Sequence, residues 1–357
     1  MSDPGMLDDP EARARLDPGG MGAAVRGLPD QCRAAWEEAR HLELPAAYRE
    51  IDRIVILGMG GSAIAGDIFR LLLARESAVP VLNQRHYDLP SYVDGRALLI
   101  ASSFSGNTEE TLSAFERGLA TTAKKLVVTT GGRLLATARA NGVPAFVFQF
   151  HGEPRSALGY GLMPLLAIAE GIGLMQGVAR DVDEAIAAME SLRSRIGEDV
   201  PVADNVAKRL AARLAGRLPV IYGAEVLTEV AHRWKTQLNE STKIWAFYEQ
   251  LPEASHNAIV SYRLPQEVAR LALVIYLRSL DFHPRVTLHY EFNQRALAEA
   301  GVEYAEVRAE GRSALAQAMT CLLMGDYVSY YLALLNSLDP TPTTVIDNLK
   351  AWLAQQR

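Results

Sequence analysis

Ile54-Val55-Ile56-Leu57 runs straight into Gly58-Met59-Gly60-Gly61-Ser62, and from Ala63 the apolar residues recur with helical spacing over residues 63–74. A short apolar run bounded by turn residues reads as a strand buried on both faces, and a glycine turn between strand and helix opens a parallel α/β unit. Glycine there allows close backbone approach, while the first turn of the helix offers unpaired N–H groups and a partial positive charge. Such a junction suits an anion. Downstream, residues 97–101 form a second apolar run that passes into Ser103-Phe104-Ser105-Gly106-Asn107-Thr108, and then into a helix whose first turn carries Glu109 and Glu110.

A glycine turn by itself is equally compatible with a tight connection that binds nothing. A dinucleotide site of the G-x-G-x-x-G/A kind accommodates Gly58, Gly60 and Ala63, but it wants an acidic residue about 20 positions on, where the next strand ends in Asn83-Gln84. A Walker A loop is excluded, because no Gly-Lys-Ser/Thr follows. The second loop carries the argument further. Thr108 as a helix cap explains one hydroxyl, whereas Ser103 and Ser105 add two more beside a glycine. Together the two loops point to a phosphate group as ligand.

Outward from these loops, residues 79–82, 126–129 and 145–148 are further candidate strands. Residues 108–119 and 134–140 are the expected crossover helices, and 160–175 an apolar helix closing this half, with Pro154-Arg155-Ser156 read as part of the loop leading into it. A charged helical segment around 181–196 is the expected boundary, after which the plan repeats with candidate strands at 219–222, 244–247, 271–276, 286–289 and 304–307. The expected fold is α/β, with two related subdomains that are each a parallel sheet flanked by helices. The division expected is a helical lead-in over 1–45, a phosphate-binding domain over 46–180 and a second domain over 195–357 ending in a helix. In the second copy Gly223-Ala224-Glu225-Val226 stands where the first has its glycine turn, so a carboxylate takes the place of a phosphate and one phosphate site per chain is expected.

Hydrophobic residues are 49% and charged residues 22% of the 357, ordinary values for a globular chain of two domains. A formal charge of −6 argues against nucleic-acid partners, which select concentrated basic surface, so an anionic ligand must be held locally. Cys32 and Cys321 stand far apart without a C-x-x-C partner. They support neither a disulfide framework nor a thiolate zinc site, and a reducing cytoplasm fits best. The first 20 residues lack a basic segment followed by an apolar one, so no secretory signal is expected. Apolar stretches such as 162–168 are too short to span a membrane, and no membrane partner is expected.

The pairing of G-M-G-G-S-A with S-x-S-G-N-T resembles the sugar isomerase (SIS) domain. Further elements widen the likeness: Asp17-Pro18-Gly19-Gly20-Met21, Thr129-Thr130-Gly131-Gly132-Arg133-Leu134, Leu238-Asn239-Glu240-Ser241, Leu251-Pro252-Glu253-Ala254-Ser255-His256-Asn257 and Thr343-Thr344-Val345-Ile346-Asp347-Asn348-Leu349-Lys350. Over nearly the whole chain this pattern resembles the bifunctional phosphoglucose/phosphomannose isomerases. The resemblance implies a phosphosugar substrate whose phosphate is held by Gly60, Gly61, Ser62, Ser103, Ser105 and Thr108. It implies Glu240 as the base moving a proton between C1 and C2, Arg133 as the cation steadying the enediolate, and His256, assisted by Lys350, as the ring-opening residue. It also implies a homodimer in which His256 reaches the neighbouring subunit's site. Proton transfer through a cis-enediol involves no net redox change, so no organic cofactor and no metal are expected. The remaining histidines show no spacing such as H-E-x-x-H and are taken as structural or surface residues.

Other readings of the same residues stay open. A non-catalytic sugar-phosphate-binding protein on this scaffold would keep the phosphate loops and lose the base. An isomerase of another phosphosugar would keep both. An amino-sugar phosphate isomerase commonly carries a glutaminase domain, for which no N-terminal cysteine nucleophile exists. Glu240 as a solvated helix-end carboxylate, Arg133 as a local pair and Lys350 as a solvated lysine on a terminal helix are the plain alternatives.

Overall fold

The computed structural model describes residues 3–356. Helices α1 (Pro10–Leu16), α2 (Met21–Arg26) and α3 (Leu28–Ala39) lead into a parallel sheet of β1 (Arg53–Leu57), β2 (Val81–Gln84), β3 (Ala97–Ser103), β4 (Lys124–Thr129) and β5 (Ala145–Val147), ordered β2-β1-β3-β4-β5. The alternation within β1 explains its two-sided burial. Ile54 and Ile56 pack with α4 (Gly60–Leu73) and α7 (Leu158–Gly171), while Val55 and Leu57 pack with α5 (Glu109–Leu119) and α6 (Gly132–Ala140). Strand order reverses between β1 and β3, and the helices that follow these two strands leave on opposite faces. A crevice therefore opens at their C-terminal ends, where open α/β sheets bind ligands.

After α8 (Val178–Ile196) and α9 (Val206–Leu214) the plan recurs. The elements are β6 (Leu218–Ala224), α10 (Thr228–Thr242), β7 (Phe247–Leu251), α11 (Gln266–Leu271), β8 (Ala272–Arg278), α12 (Pro284–Ala300), β9 (Glu303–Arg308), α13 (Ala314–Leu335) and α14 (Thr344–Ala354). The second sheet is parallel in the order β7-β6-β8-β9, the first sheet's order less its last strand. Two expectations for this half are corrected. Residues 286–289 lie within α12, because Pro284 at its first position and the His283 ring, which accepts a hydrogen bond from the Arg285 N–H at 3.1 Å, start a helix there. Residues 244–246 precede their strand, which starts at Phe247. In the repeat of the glycine turn, the Glu225 carboxylate accepts the backbone N–H of His283 at 2.9 Å.

The segment around 181–196 is helical as expected and lies in α8. Val182, Ala185, Ile186, Met189 and Leu192 bury one face of α8 against α3 and α13. The lead-in is also fastened to the second half, since the buried Lys208 ammonium donates to the carbonyls of Leu7 at 2.9 Å and Glu198 at 2.8 Å and pairs with Asp8 at 2.9 Å. At the centre runs α13, with every residue from Leu315 to Leu335 buried. By length and composition this helix matches a membrane span, longer than any apolar stretch expected from the sequence, but its apolar surface is wholly covered by its own chain. It packs on α8, α9, α10 and α2.

Candidate active site

The two phosphate loops lie side by side at the reversal point of the first sheet. No side chain caps α4, which starts at Gly60, and none caps α5. Thr108 occupies the cap position of α5 without capping it, because its hydroxyl pairs with Ser103 Oγ at 2.9 Å. Helix capping thus fails to account for any of the three hydroxyls; the start of α4 carries no acidic residue in its first turn, whereas that of α5 carries Glu109 and Glu110. Ser103 is buried and also accepts the N–H of Gly106 at 3.1 Å, whereas Ser105 is exposed and accepts the N–H of Asn107 at 3.2 Å. Gly106 has φ +66°, and a side chain there would collide with the carbonyl of Gly131. The Thr129–Gly132 turn therefore braces this loop: Thr130 donates to the Phe104 carbonyl from its N–H at 3.1 Å and its hydroxyl at 2.7 Å.

The adjoining wall comes from both halves of the chain. A Cβ on Gly61 would approach the Pro154 carbonyl to 3.1 Å and Arg155 Cα to 3.4 Å, so the glycine turn lies directly against a single helical turn at Pro154–Ser156. Arg155 is only 2% exposed. Its Nη1 stands 3.7 Å from Glu240 Oε2 and 3.3 Å from Glu153 Oε2, and its Nη2 donates to the carbonyls of Pro340 at 2.8 Å and Thr341 at 2.5 Å. Glu240 is part of the last turn of α10 and is partly exposed. Lys243, in the left-handed conformation at φ +57°, ends that helix and donates to the carbonyls of Asp339 and Pro340, each at 3.2 Å. Burial holds the Arg155 guanidinium below its ordinary pKa, against the pull of Glu240 and Glu153. Burial and the neighbouring Arg155 do the same to Lys243. A carboxylate facing a desolvated guanidinium, beside an uncapped helix start, is equipped to move a proton next to a developing oxyanion.

Among the described residues, the other site residues suggested by sequence make no hydrogen bond or ion pair with Glu240 or Arg155, and Arg133 flanks the serine loop. Arg133 is exposed; its guanidinium pairs with Glu116 at 3.2 Å and its backbone N–H with Asn107 Oδ1 at 3.1 Å. His256 is exposed on a helical turn after β7, with its ring 6.3 Å from that of His289. Its turn is pinned by Asn293, which donates to Ser255 Oγ at 2.8 Å. Lys350 sits on α14, where no residue is buried, and pairs with Asp347 at 3.2 Å. Among the described residues one cluster, Asp67, Glu229 and His232, brings potential metal ligands within 4.8 Å of one another. Arg85 pairs with Asp67 and Arg70 with Glu229, so its two carboxylates are already balanced by guanidinium groups.

A profile of the bacterial phospho-glucose isomerase C-terminal SIS domain matches residues 203–353. A bifunctional phosphoglucose/phosphomannose isomerase of Caldicellulosiruptor bescii is 38% identical, over 93% of this chain and 98% of its own length. One of Thermoplasma acidophilum is 35% identical over 83% and 88%. The chain belongs to the bifunctional phosphoglucose/phosphomannose isomerase family. Solved structures agree on the fold. A glucose-6-phosphate isomerase like protein from Thermus thermophilus superposes with a TM-score of 0.62 at 22% identity, over 97% of this chain and all of that one. The C-terminal domain of glucosamine-fructose-6-phosphate aminotransferase from Francisella tularensis gives 0.70 at 11%, over 89% and 96%. Against this family background the residue that sequence reading passes over is Arg155. The stretch Pro154-Arg155-Ser156 reads as a loop leading into α7; the available signal is an arginine set directly before a long apolar helix.

Proposed function

We propose that this protein interconverts glucose 6-phosphate and mannose 6-phosphate with fructose 6-phosphate by aldose–ketose isomerisation. The observation that carries the reading is the Glu240 carboxylate 3.7 Å from the buried Arg155 guanidinium, on the wall that continues from the glycine turn. The phosphate docks at the uncapped starts of α4 and α5, using Gly60, Gly61, Ser62, Ser103, Ser105 and Thr108. The sugar then lies across the crevice between the 46–180 domain and the 195–357 domain. Glu240 removes the proton from C2 of the aldose and returns it at C1. Arg155, rather than Arg133, carries the positive charge beside the enediolate, because it touches Glu240 and Arg133 pairs with Glu116. The chemistry calls for no cofactor and no metal, and a cytoplasmic setting suits its substrates.

His256 and Lys350 enter as groups supplied by a second copy of the chain. The support is apolar surface near both: Val345, Leu349 and Trp352 of α14 are more than half exposed, as are Val260 and Leu264 close to His256. Faces of this kind in a folded chain mark subunit contacts. A homodimer with composite sites is therefore part of the proposal.

A coupled assay of fructose 6-phosphate formation from each aldose phosphate, run on wild type and Glu240→Gln, tests the assignment. We expect activity on both sugars and a fall in kcat of about 10³-fold or more in the variant, at little-changed KM. An inactive wild type would sink the isomerase reading, and a fully active variant would sink Glu240 as base.

A further inference from the structure

Asp326 is the single charged residue of α13, a helix otherwise made of uncharged side chains and buried along its length. Placing a carboxylate there is costly, and an apolar residue of similar volume commonly serves stability as well or better. Its partner is Arg233 on α10, 2% exposed, whose Nη2 stands 3.4 Å from both carboxylate oxygens. Those distances are long, and Arg233 Nε has no partner among the described residues, so the pair lacks the tight two-pronged geometry that favours a purely structural bridge. Gln237, one turn further along α10, donates to Asp326 Oδ1 at 2.8 Å. The shortest contact Arg233 makes is different in kind: Nη2 donates to the main-chain carbonyl of Arg155 at 2.6 Å. A line of contacts thus runs from the core, Asp326 to Arg233 to the Arg155 backbone, and ends where the Arg155 guanidinium meets Glu240.

We propose that Asp326 and Arg233 are positioning residues of the active site, holding Arg155 against Glu240 through its main-chain carbonyl and setting the charge behind the base. The proposal rests on the reading of Glu240 as that base. Arg155, Arg233 and Asp326, all under a tenth exposed, together carry a net charge of +1 behind a carboxylate that must accept a proton beside a growing oxyanion. The charged groups facing Glu240 are Arg155 and Lys243, with Glu153 sharing the same Arg155 nitrogen, Nη1. Those facing Asp326 are Arg233 and, at longer range, Arg155. Burial pushes the Asp326 carboxyl up while the two guanidinium groups pull it back.

Three variants of the full chain test this in the isomerase assay. The double variant Arg233→Met/Asp326→Leu removes the pair without leaving a lone buried charge, and we expect it to fold with thermal stability near wild type. Its kcat should fall about tenfold or more with KM within about twofold, since the phosphate loops are untouched. Asp326→Asn leaves the Arg233 guanidinium without its carboxylate and should lower kcat about threefold or more, again with KM within about twofold. Glu240→Gln serves as the reference. If it is inactive while the double variant keeps wild-type kcat, or while a folded Asp326→Asn keeps wild-type kcat, the pair is only structural and the proposal fails. If Glu240→Gln stays active, the reading of the base fails instead. Should Asp326→Asn not fold, the double variant decides alone.

Discussion

Arg155 has given up nearly all its solvent to lie between Glu240, Glu153 and the carbonyls of Pro340 and Thr341, whereas the Arg133 side chain keeps 61% of its exposure beside Glu116. A guanidinium in a dry setting acts on developing charge far more strongly than one in water. Arg155→Met is therefore expected to lower kcat by about 10²-fold or more, while Arg133→Met stays within about threefold of wild type, both in the fructose 6-phosphate assay. Reversal of that ranking would restore Arg133 to the role its sequence position suggests. The reason sequence points to the other arginine is physical. Arg133 follows a recognisable Thr-Gly-Gly turn, but that turn braces the serine loop; apart from Glu153 the partners of Arg155 lie far along the chain, and no local pattern announces them.

Elements buried on both faces are the legible ones. β1, β3 and β8 are near-continuous apolar runs because helices cover each side, so their periodicity has one interpretation. α12 reads wrongly as a strand around Val286-Thr287-Leu288-His289, where alternation on a half-exposed helix imitates strand spacing and the Pro284 start signal decides the matter. The tie of the N-terminal lead-in is also out of reach of sequence, since Lys208 looks like any lysine on an amphipathic helix. Replacing it with methionine leaves the buried Glu198 carbonyl without this donor, while the Leu7 carbonyl keeps Arg13 Nη1 at 2.8 Å, and should cost about 1–3 kcal/mol of stability. Urea unfolding with unchanged slope, together with faster proteolysis within residues 3–20, checks this; an unchanged midpoint would mean the lead-in is held by packing alone.

The whole molecule poses the question of where His256 and Lys350 act. Within one chain the glycine turn, Arg155 and Glu240 adjoin one another, while His256 lies on the turn after β7 beside His289 and Lys350 on the exposed α14. Mixing refolded Glu240→Gln and His256→Asn chains in equal amounts should recover about a quarter of wild-type activity, because half the dimers are mixed and one of their two sites is intact. No recovery would place His256 in the same chain's site or outside catalysis. The α/β plan, its near-duplication and the two strand-to-helix loops are legible from local pattern, whereas the assembly of the site depends on contacts between distant parts of the chain. A last consequence follows from α13, which lies at the centre yet comes next to last in the chain. During synthesis both sheets leave the ribosome before the helix that fills the space between α8, α9 and α10. The nascent chain must carry those uncovered apolar faces until residues 314–335 arrive, so translation stalled just short of them yields a chaperone substrate, not a partly folded enzyme.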